Sequence, residues 1–150
     1  MEMYSNVAVF LDGTEAQDAV MDKAIKVAAV NGAKLTICHI VDSTALEAAQ
    51  AQYIGELVDG LTAAFKESIA DKLDEAKANE HIAGVNVEIK FGRIRETIMD
   101  EIIFPLRPDL VVCGARGLSS FKYALLGSVS TFLVRQCPCD LLVVKQKMYD

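Results

Sequence analysis

Short apolar runs alternate with amphipathic stretches along the whole chain. Asn6 to Asp12 (NVAVFLD) is rich in β-formers and is followed by Gly13 and Thr14, which predicts a first strand. Thr14-Glu15-Ala16-Gln17 has capping-box spacing, with the Thr14 hydroxyl and the Gln17 side chain serving orphan N–H groups of a helix that runs to Asn31-Gly32. Leu35 to Val41 predicts strand two. From Tyr53 to Asn79, Ile54, Val58, Leu61, Phe65, Ile69, Leu73 and Ala76 recur at three- and four-residue steps, the mark of a long amphipathic helix. Val85 to Phe91 alternates apolar with polar and predicts a third strand at a sheet edge. Ile94, Ile98 and Ile102 then mark a helix that should end before Pro105. Leu110 to Cys113 predicts strand four, Ser128 to Gln136 a last helix stopped by Pro138, and Leu141 to Val144 strand five. Ser43 to Gln52 takes no clear element and reads as the most mobile segment.

The order βαβαβαβαβ, with strands of nearly continuous Val, Ile and Leu, specifies an α/β fold: one open, Rossmann-like parallel sheet covered by helices on both faces. A length of 150 residues is one domain's worth at roughly 100–200 residues per domain, so residues 1–150 read as a single domain. Charge narrows the function. Fifteen Lys and Arg against 21 Asp and Glu leave a net −6, which excludes general nucleic-acid binding and makes any anion site local. The first residues, Met-Glu-Met-Tyr-Ser-Asn, are acidic where a secretory leader is basic. No apolar run approaches the ~20 residues that span a bilayer, and the reading is cytoplasmic, with no membrane partner.

Ligands of open α/β sheets sit beyond the carboxyl ends of the strands, so the loops after strands one, two and four hold the candidate chemistry. After strand four comes Gly114-Ala115-Arg116-Gly117, then nine residues, then Gly127-Ser128 opening a helix. Glycines let backbone N–H groups approach an anion, a helix start adds unpaired donors, and Arg116 and Lys122 bring positive charge. The same residues also fit a strand end, a turn and an N-cap. Asp12, after strand one, is suited to hold Mg²⁺ or Mn²⁺ shared with phosphate, to accept a ribose hydroxyl, or simply to begin a helix. Val41-Asp42 puts a backbone N–H and C=O where an adenine edge would meet them. Gly55 to Thr62 imitates a phosphate-binding loop, but Leu61 replaces its lysine and the segment is helical. Neither a dinucleotide fingerprint nor a nucleophile elbow is present.

His39 lies within strand two and reads as hydrogen-bonded structure rather than a base. His39 and His81 lack metal-ligand spacing. Cys38, Cys113, Cys137 and Cys139 read as reduced core thiols. The alternative for Cys137-Pro138-Cys139, a redox or metal pair, has the wrong spacing and no second ligand pair.

The chain resembles the nucleotide-binding branch of the universal stress protein family over essentially its whole length. The resemblance rests on Gly114-x2-Gly117-x9-Gly127-Ser128, the opening Val-Ala-Val-Phe-Leu-Asp12-Gly13-Thr14, His39-Ile-Val41, Leu125-Leu-Gly-Ser-Val-Ser130, and Cys137-Pro138 ahead of Leu141-Leu-Val-Val144. It implies strand order 3-2-1-4-5, a homodimer joined through the last strands, and ATP (or ADP or AMP) lying across the carboxyl edge. Val41 would meet adenine through its backbone, and Leu11 and Gly114 would lie near the ribose. Gly117, Gly127, Ser128, Val129 and Ser130 would cradle the phosphates with Arg116 beside them, and Asp12 would sit by the metal. Two departures stand out: Phe10-Leu11 is bulky ahead of the aspartate, and Cys139-Asp140 intervenes before the last strand. The expectation is a cytosolic ATP-binding regulatory dimer in stress response, hydrolysing ATP slowly at most, since Asp12 is the sole evident base near these loops. A nucleotide-free dimer acting only through protein contacts is the alternative, and it requires the glycine motif to be purely structural.

Overall fold

The computed structural model describes residues 3–47, 53–115, 127–146 and 149. Its five strands are β1 (Asn6–Phe10), β2 (Lys34–Asp42), β3 (Gly84–Gly92), β4 (Leu110–Gly114) and β5 (Asp140–Val144), all parallel in the order β3-β2-β1-β4-β5. The helices are α1 (Gln17–Asn31), α2 (Ser43–Glu47), α3 (Ile54–Ala78), α4 (Ile94–Thr97), α5 (Phe104–Leu106) and α6 (Ser128–Gln136), with a π-helical segment, Ile98–Ile103, joining α4 to α5. Successive strand side chains point to opposite faces. Val7, Val9, Leu35, Ile37 and Val112 therefore pack under α1 and α3, while Ala8, Cys38, Val111 and Cys113 pack under the π-helical segment and α6. Both faces are buried, which is why the central strands carry almost no polar residue.

Several expected boundaries shift for identifiable reasons. β1 stops at Phe10 rather than Asp12, because the Asp12 carboxylate turns back to accept the Thr14 N–H (2.9 Å) and hydroxyl (2.7 Å), bending the chain out of the ladder. The capping box does not form as expected. Gln17 Oε1 accepts the Gly13 N–H at 2.9 Å, and Ala16, the residue preceding α1, makes no side-chain cap. Gly13 takes φ +82° in this turn and Gly32 closes α1 at φ +64°, backbone conformations that a Cβ disfavours. The third helical region passes Pro105 instead of ending before it. The π-helical hydrogen bonding, with the Phe104 N–H donating to the Met99 carbonyl, displaces the ladder with which a proline ring would clash, and the chain turns at Arg107, φ +53°. α2 forms in the first half of the segment assigned no element, and the rest of that segment lies outside the described residues. The imitation of a phosphate-binding loop, Gly55 to Thr62, lies within α3.

The amino ends of β1 and β4 are clamped together. Asp109 accepts N–H donors from Ser5 (2.8 Å) and Asn6 (2.9 Å) and the Ser5 hydroxyl (3.0 Å). Burial works to raise its carboxyl pKa, but these donors outweigh it and hold the carboxyl below its ordinary value. Such anchoring fixes β1 against β4, the pair between which the site lies.

Candidate functional site at the carboxyl edge of the sheet

The strand order reverses between β1 and β4. The crossovers from β1 to β2 and from β2 to β3 move one way and place α1 and α3 on one face. The β3 to β4 connection then jumps back across the opposite face. The loops leaving β1 and β4 consequently diverge and leave a crevice at their carboxyl ends, where ligands of this architecture bind. Leu11, Asp12 and Gly13 form one lip. Gly114 and Ala115 form the other, and Val41 lies one residue before the end of the neighbouring β2.

Three ties hold the first lip. The Leu11 N–H donates to the Cys38 carbonyl at 2.9 Å. His39 Nδ1 lies 2.7 Å from the Leu11 carbonyl, a contact that requires Nδ1 to carry the proton, and its ring stacks on Phe65 with centroids 4.1 Å apart. Gln17, buried, links the loop to α3: its Oε1 holds Gly13 while its Nε2 donates to Ser68 Oγ at 2.9 Å. Leu11 and Val41 are buried, so each offers a ligand little besides its backbone, and Asp12 is half-buried. Asp12 Oδ1 is occupied by Thr14, whereas Oδ2 accepts no hydrogen bond from the described residues. That oxygen is a hard donor of the type Mg²⁺ takes from a protein alongside water and phosphate.

Burial lowers the His39 pKa below its ordinary 6.5, only partly offset by the Leu11 carbonyl and Asp12. The sign follows from proton linkage. A group that binds its proton more weakly when folded contributes stability above the unfolded value, and this is lost as pH falls through the folded one. Melting temperature is therefore expected to drop as pH falls below 6.5, and His39→Asn, which keeps a donor at the Nδ1 position without titrating, is expected to flatten that drop. An unchanged slope in the variant would assign the pH dependence elsewhere.

The second lip is fastened to the start of α6. The Ala115 N–H donates to the Val144 carbonyl, and the Ala115 carbonyl accepts the Gly127 N–H at 2.6 Å. Ser130 Oγ reaches the carbonyls of Ala115 (3.1 Å) and Gly127 (3.0 Å), so this buried hydroxyl braces the lip and leaves its backbone as the part that a ligand would meet. Val129 packs into the core beneath α6, while Ser128 is exposed at the first helical position. Gly127 and Ser128 open onto a cavity of about 300 Å³ that continues past Thr131 and Phe132 to Arg135 and Gln136, with Arg95 opposite. The structure thus brings Leu11, Asp12, Val41, Gly114, Gly127, Ser128, Val129 and Ser130 to one sheet edge. Arg116, Gly117 and Lys122 lie outside the described residues.

Cys38 and Cys113 are buried in the core. Cys137 and Cys139 stand apart from the crevice, beside the start of β5, with sulfurs 3.6 Å apart; burial and the neighbouring Cys137 push the Cys139 thiol up to about 12, and it remains protonated at neutral pH. Among the described residues no three His, Cys, Asp or Glu side chains converge as metal ligands, and no helix is long and apolar enough to cross a membrane.

Gln17, His39, Arg95 and Arg135 are residues of this region that the linear reading did not place there. The signal for His39 was an imidazole inside an apolar strand, and for Gln17 the capping-box spacing, which pointed to the right residue with the wrong partner. No local pattern marks the two arginines.

A model described as the universal stress protein family matches residues 3–145. A chain named as a universal stress protein in Staphylococcus haemolyticus (strain JCSC1435) is 32% identical over 148 residues, covering 97% of this chain and 87% of that one. Among solved structures, universal stress protein UspA from Lactobacillus plantarum is 27% identical with a TM-score of 0.81, covering 94% of this chain and 97% of that one. A universal stress protein in complex with cAMP is 25% identical with a TM-score of 0.67, covering 95% and 97%.

Proposed function

The chain belongs to the universal stress protein family, and from that membership we propose that it is a regulatory protein that binds an adenine nucleotide (ATP, ADP or AMP) at the carboxyl edge of its sheet. The observation that carries this reading is the junction of β4 and α6. The Gly127 N–H and the Ser130 hydroxyl bonded to the Ala115 carbonyl set the first turn of α6 beside the reversal point of the sheet, with a cavity at its mouth. The Gly127 N–H is spent on Ala115, and the first-turn N–H groups that follow it, from Ser128 on, form an anion site. A relative that holds cAMP on the same fold supports an adenine nucleotide as the ligand. Val41 offers backbone to adenine, Leu11 and Gly114 flank the ribose, and Gly127, Ser128, Val129 and Ser130, with Arg116 and Gly117 of the preceding loop, take the phosphates. Asp12 contributes one oxygen to Mg²⁺ or Mn²⁺ arriving with the nucleotide, a metal whose chemistry here is to neutralise phosphate charge.

Binding, not turnover, is the proposed activity. His39 spends its Nδ1 on Leu11 and is packed against Phe65, and the one Asp12 oxygen that Thr14 leaves open is assigned to the metal, so neither is read as a base that activates a nucleophile. Homodimerisation through β5 completes the reading: β5 is the outer strand of the sheet, and its run Leu141 to Val144 is only half-buried in the single chain. The protein is read as cytoplasmic and acting in stress response. The test is to denature purified protein, identify any released nucleotide by mass spectrometry, and titrate the stripped protein with ATP, ADP and AMP with and without Mg²⁺. Binding tighter than about 1 mM is expected, by a species of twice the 16.3 kDa chain mass in light scattering. Absence of binding at that concentration would overturn the nucleotide assignment, and a monomer would overturn the dimer.

A further inference from the structure

The cavity that opens at Gly127 and Ser128 carries more positive charge than the start of a helix supplies. It follows one face of α6 through Thr131 and Phe132 to Arg135, since residues three and four apart share a helix face. Arg95, in the first turn of α4, forms the facing wall, and its guanidinium lies 5.7 Å from the centre of the Phe132 ring. Stacking on an aromatic face holds a guanidinium in place while leaving its N–H fork available, and that fork suits phosphate oxygens. Among the described residues lining the cavity there is no Asp or Glu, in a chain where acids outnumber bases by 21 to 15. Neither Arg95 nor Arg135 forms an ion pair with a described residue. The cavity measures about 300 Å³, room for a short polyanion.

Resting on the nucleotide-binding reading above, we infer that Arg95 and Arg135 set how many phosphates the site prefers. The distal phosphates of a nucleoside di- or triphosphate run from Ser128 into the cavity and meet these two guanidinium groups, which a monophosphate or a cyclic nucleotide does not reach. Arg95 and Arg135 belong to different helices, α4 and α6, so the preference arises only where the two pack together on one face of the sheet. Charge-assisted hydrogen bonds from guanidinium to phosphate are about twice as strong as neutral ones, and the discrimination should grow with each added phosphate.

The experiment titrates wild type, Arg95→Gln, Arg135→Gln and Arg95→Lys with AMP, ADP, ATP and inorganic tripolyphosphate, all with Mg²⁺ and at one salt concentration. Both side chains are exposed, so melting temperatures are expected to match wild type. The ATP Kd should rise about tenfold in each glutamine variant, the loss of one charge-assisted contact. The AMP Kd should move less than about twofold, the residue of a screened long-range field, and Arg95→Lys should recover part of the ATP affinity. Equal losses for AMP and ATP, or no change in either, overturn the inference while leaving the nucleotide site standing. Tripolyphosphate bound as tightly as ATP also overturns it, because the cavity would then be a free-anion site indifferent to the nucleoside. No nucleotide binding by wild type instead removes the underlying reading.

Discussion

Leu133→Ala is expected to lower the unfolding free energy by about 2–5 kcal/mol, the usual cost of emptying a buried leucine site that cannot fully collapse. Leu133 is completely buried and is the apolar anchor of α6, flanked in the same core cluster by Ile98, Ile102 and Val111. α6 is only nine residues long, too short to persist without its tertiary contacts. Its anchor also positions the site, because the Gly127 and Ser130 contacts to Ala115 depend on the helix lying where it does. Urea unfolding should show the midpoint falling with the slope unchanged, and ATP affinity should weaken along with it. A cost below about 1 kcal/mol would mean that α6 is held mainly by its loop and cap contacts rather than by burial.

Gly127→Val is expected to separate binding from folding. Gly127 has φ −75° and ψ 174°, an extended conformation open to any residue, so valine imposes no backbone strain and the melting temperature should stay close to wild type. What changes is access: a branched Cβ would stand where phosphates must approach the N–H groups of the first turn. Losing two such contacts should weaken ATP by about 100-fold. Adenosine, which lacks phosphate, should bind the variant as it binds wild type. Unchanged ATP affinity would mean that the phosphates lie elsewhere than at α6, and an equal loss of adenosine would mean that the substitution disturbs the ribose or adenine contacts instead.

The parts of the fold that were legible in the chain are those fixed by short-range chemistry. Ser128 to Gln136 is read correctly at both ends because Gly127 stands directly before it and Pro138 two residues after it. The end of α1 is read at Asn31-Gly32 because the chain must take a positive φ there. The central strands β1, β2 and β4 are legible as nearly continuous apolar runs because both their faces are buried, and β3, at the sheet edge, by its apolar-polar alternation. Pro105 misled for the opposite reason. Ile94, Ile98 and Ile102 repeat like an ordinary helix, and nothing local reveals that a π-helical segment lets the chain pass a proline. The same division runs through the site. Asp12 and the glycine-serine run announce themselves, whereas His39 takes its role from a partner 28 residues away and Gln17 ties the local Gly13 turn to Ser68, 51 residues on.

By itself the sequence determined an acidic chain with alternating strands and helices and a glycine-rich run leading to the start of its last helix, because these depend on composition, period and neighbouring residues. Tertiary structure decided what that acidity conceals. Parallel pairing brings Phe10 level with Cys38 and with Cys113, which sets Leu11 against His39 and puts the Asp12 lip across from Gly114. Packing α4 and α6 on one face joins Arg95 and Arg135 on the wall of one cavity. A net charge of −6 is a sum over the whole chain. A ligand meets only the few groups that the fold turns toward it, and Arg95 and Arg135, on separate helices, line one cavity with no Asp or Glu among its described lining residues.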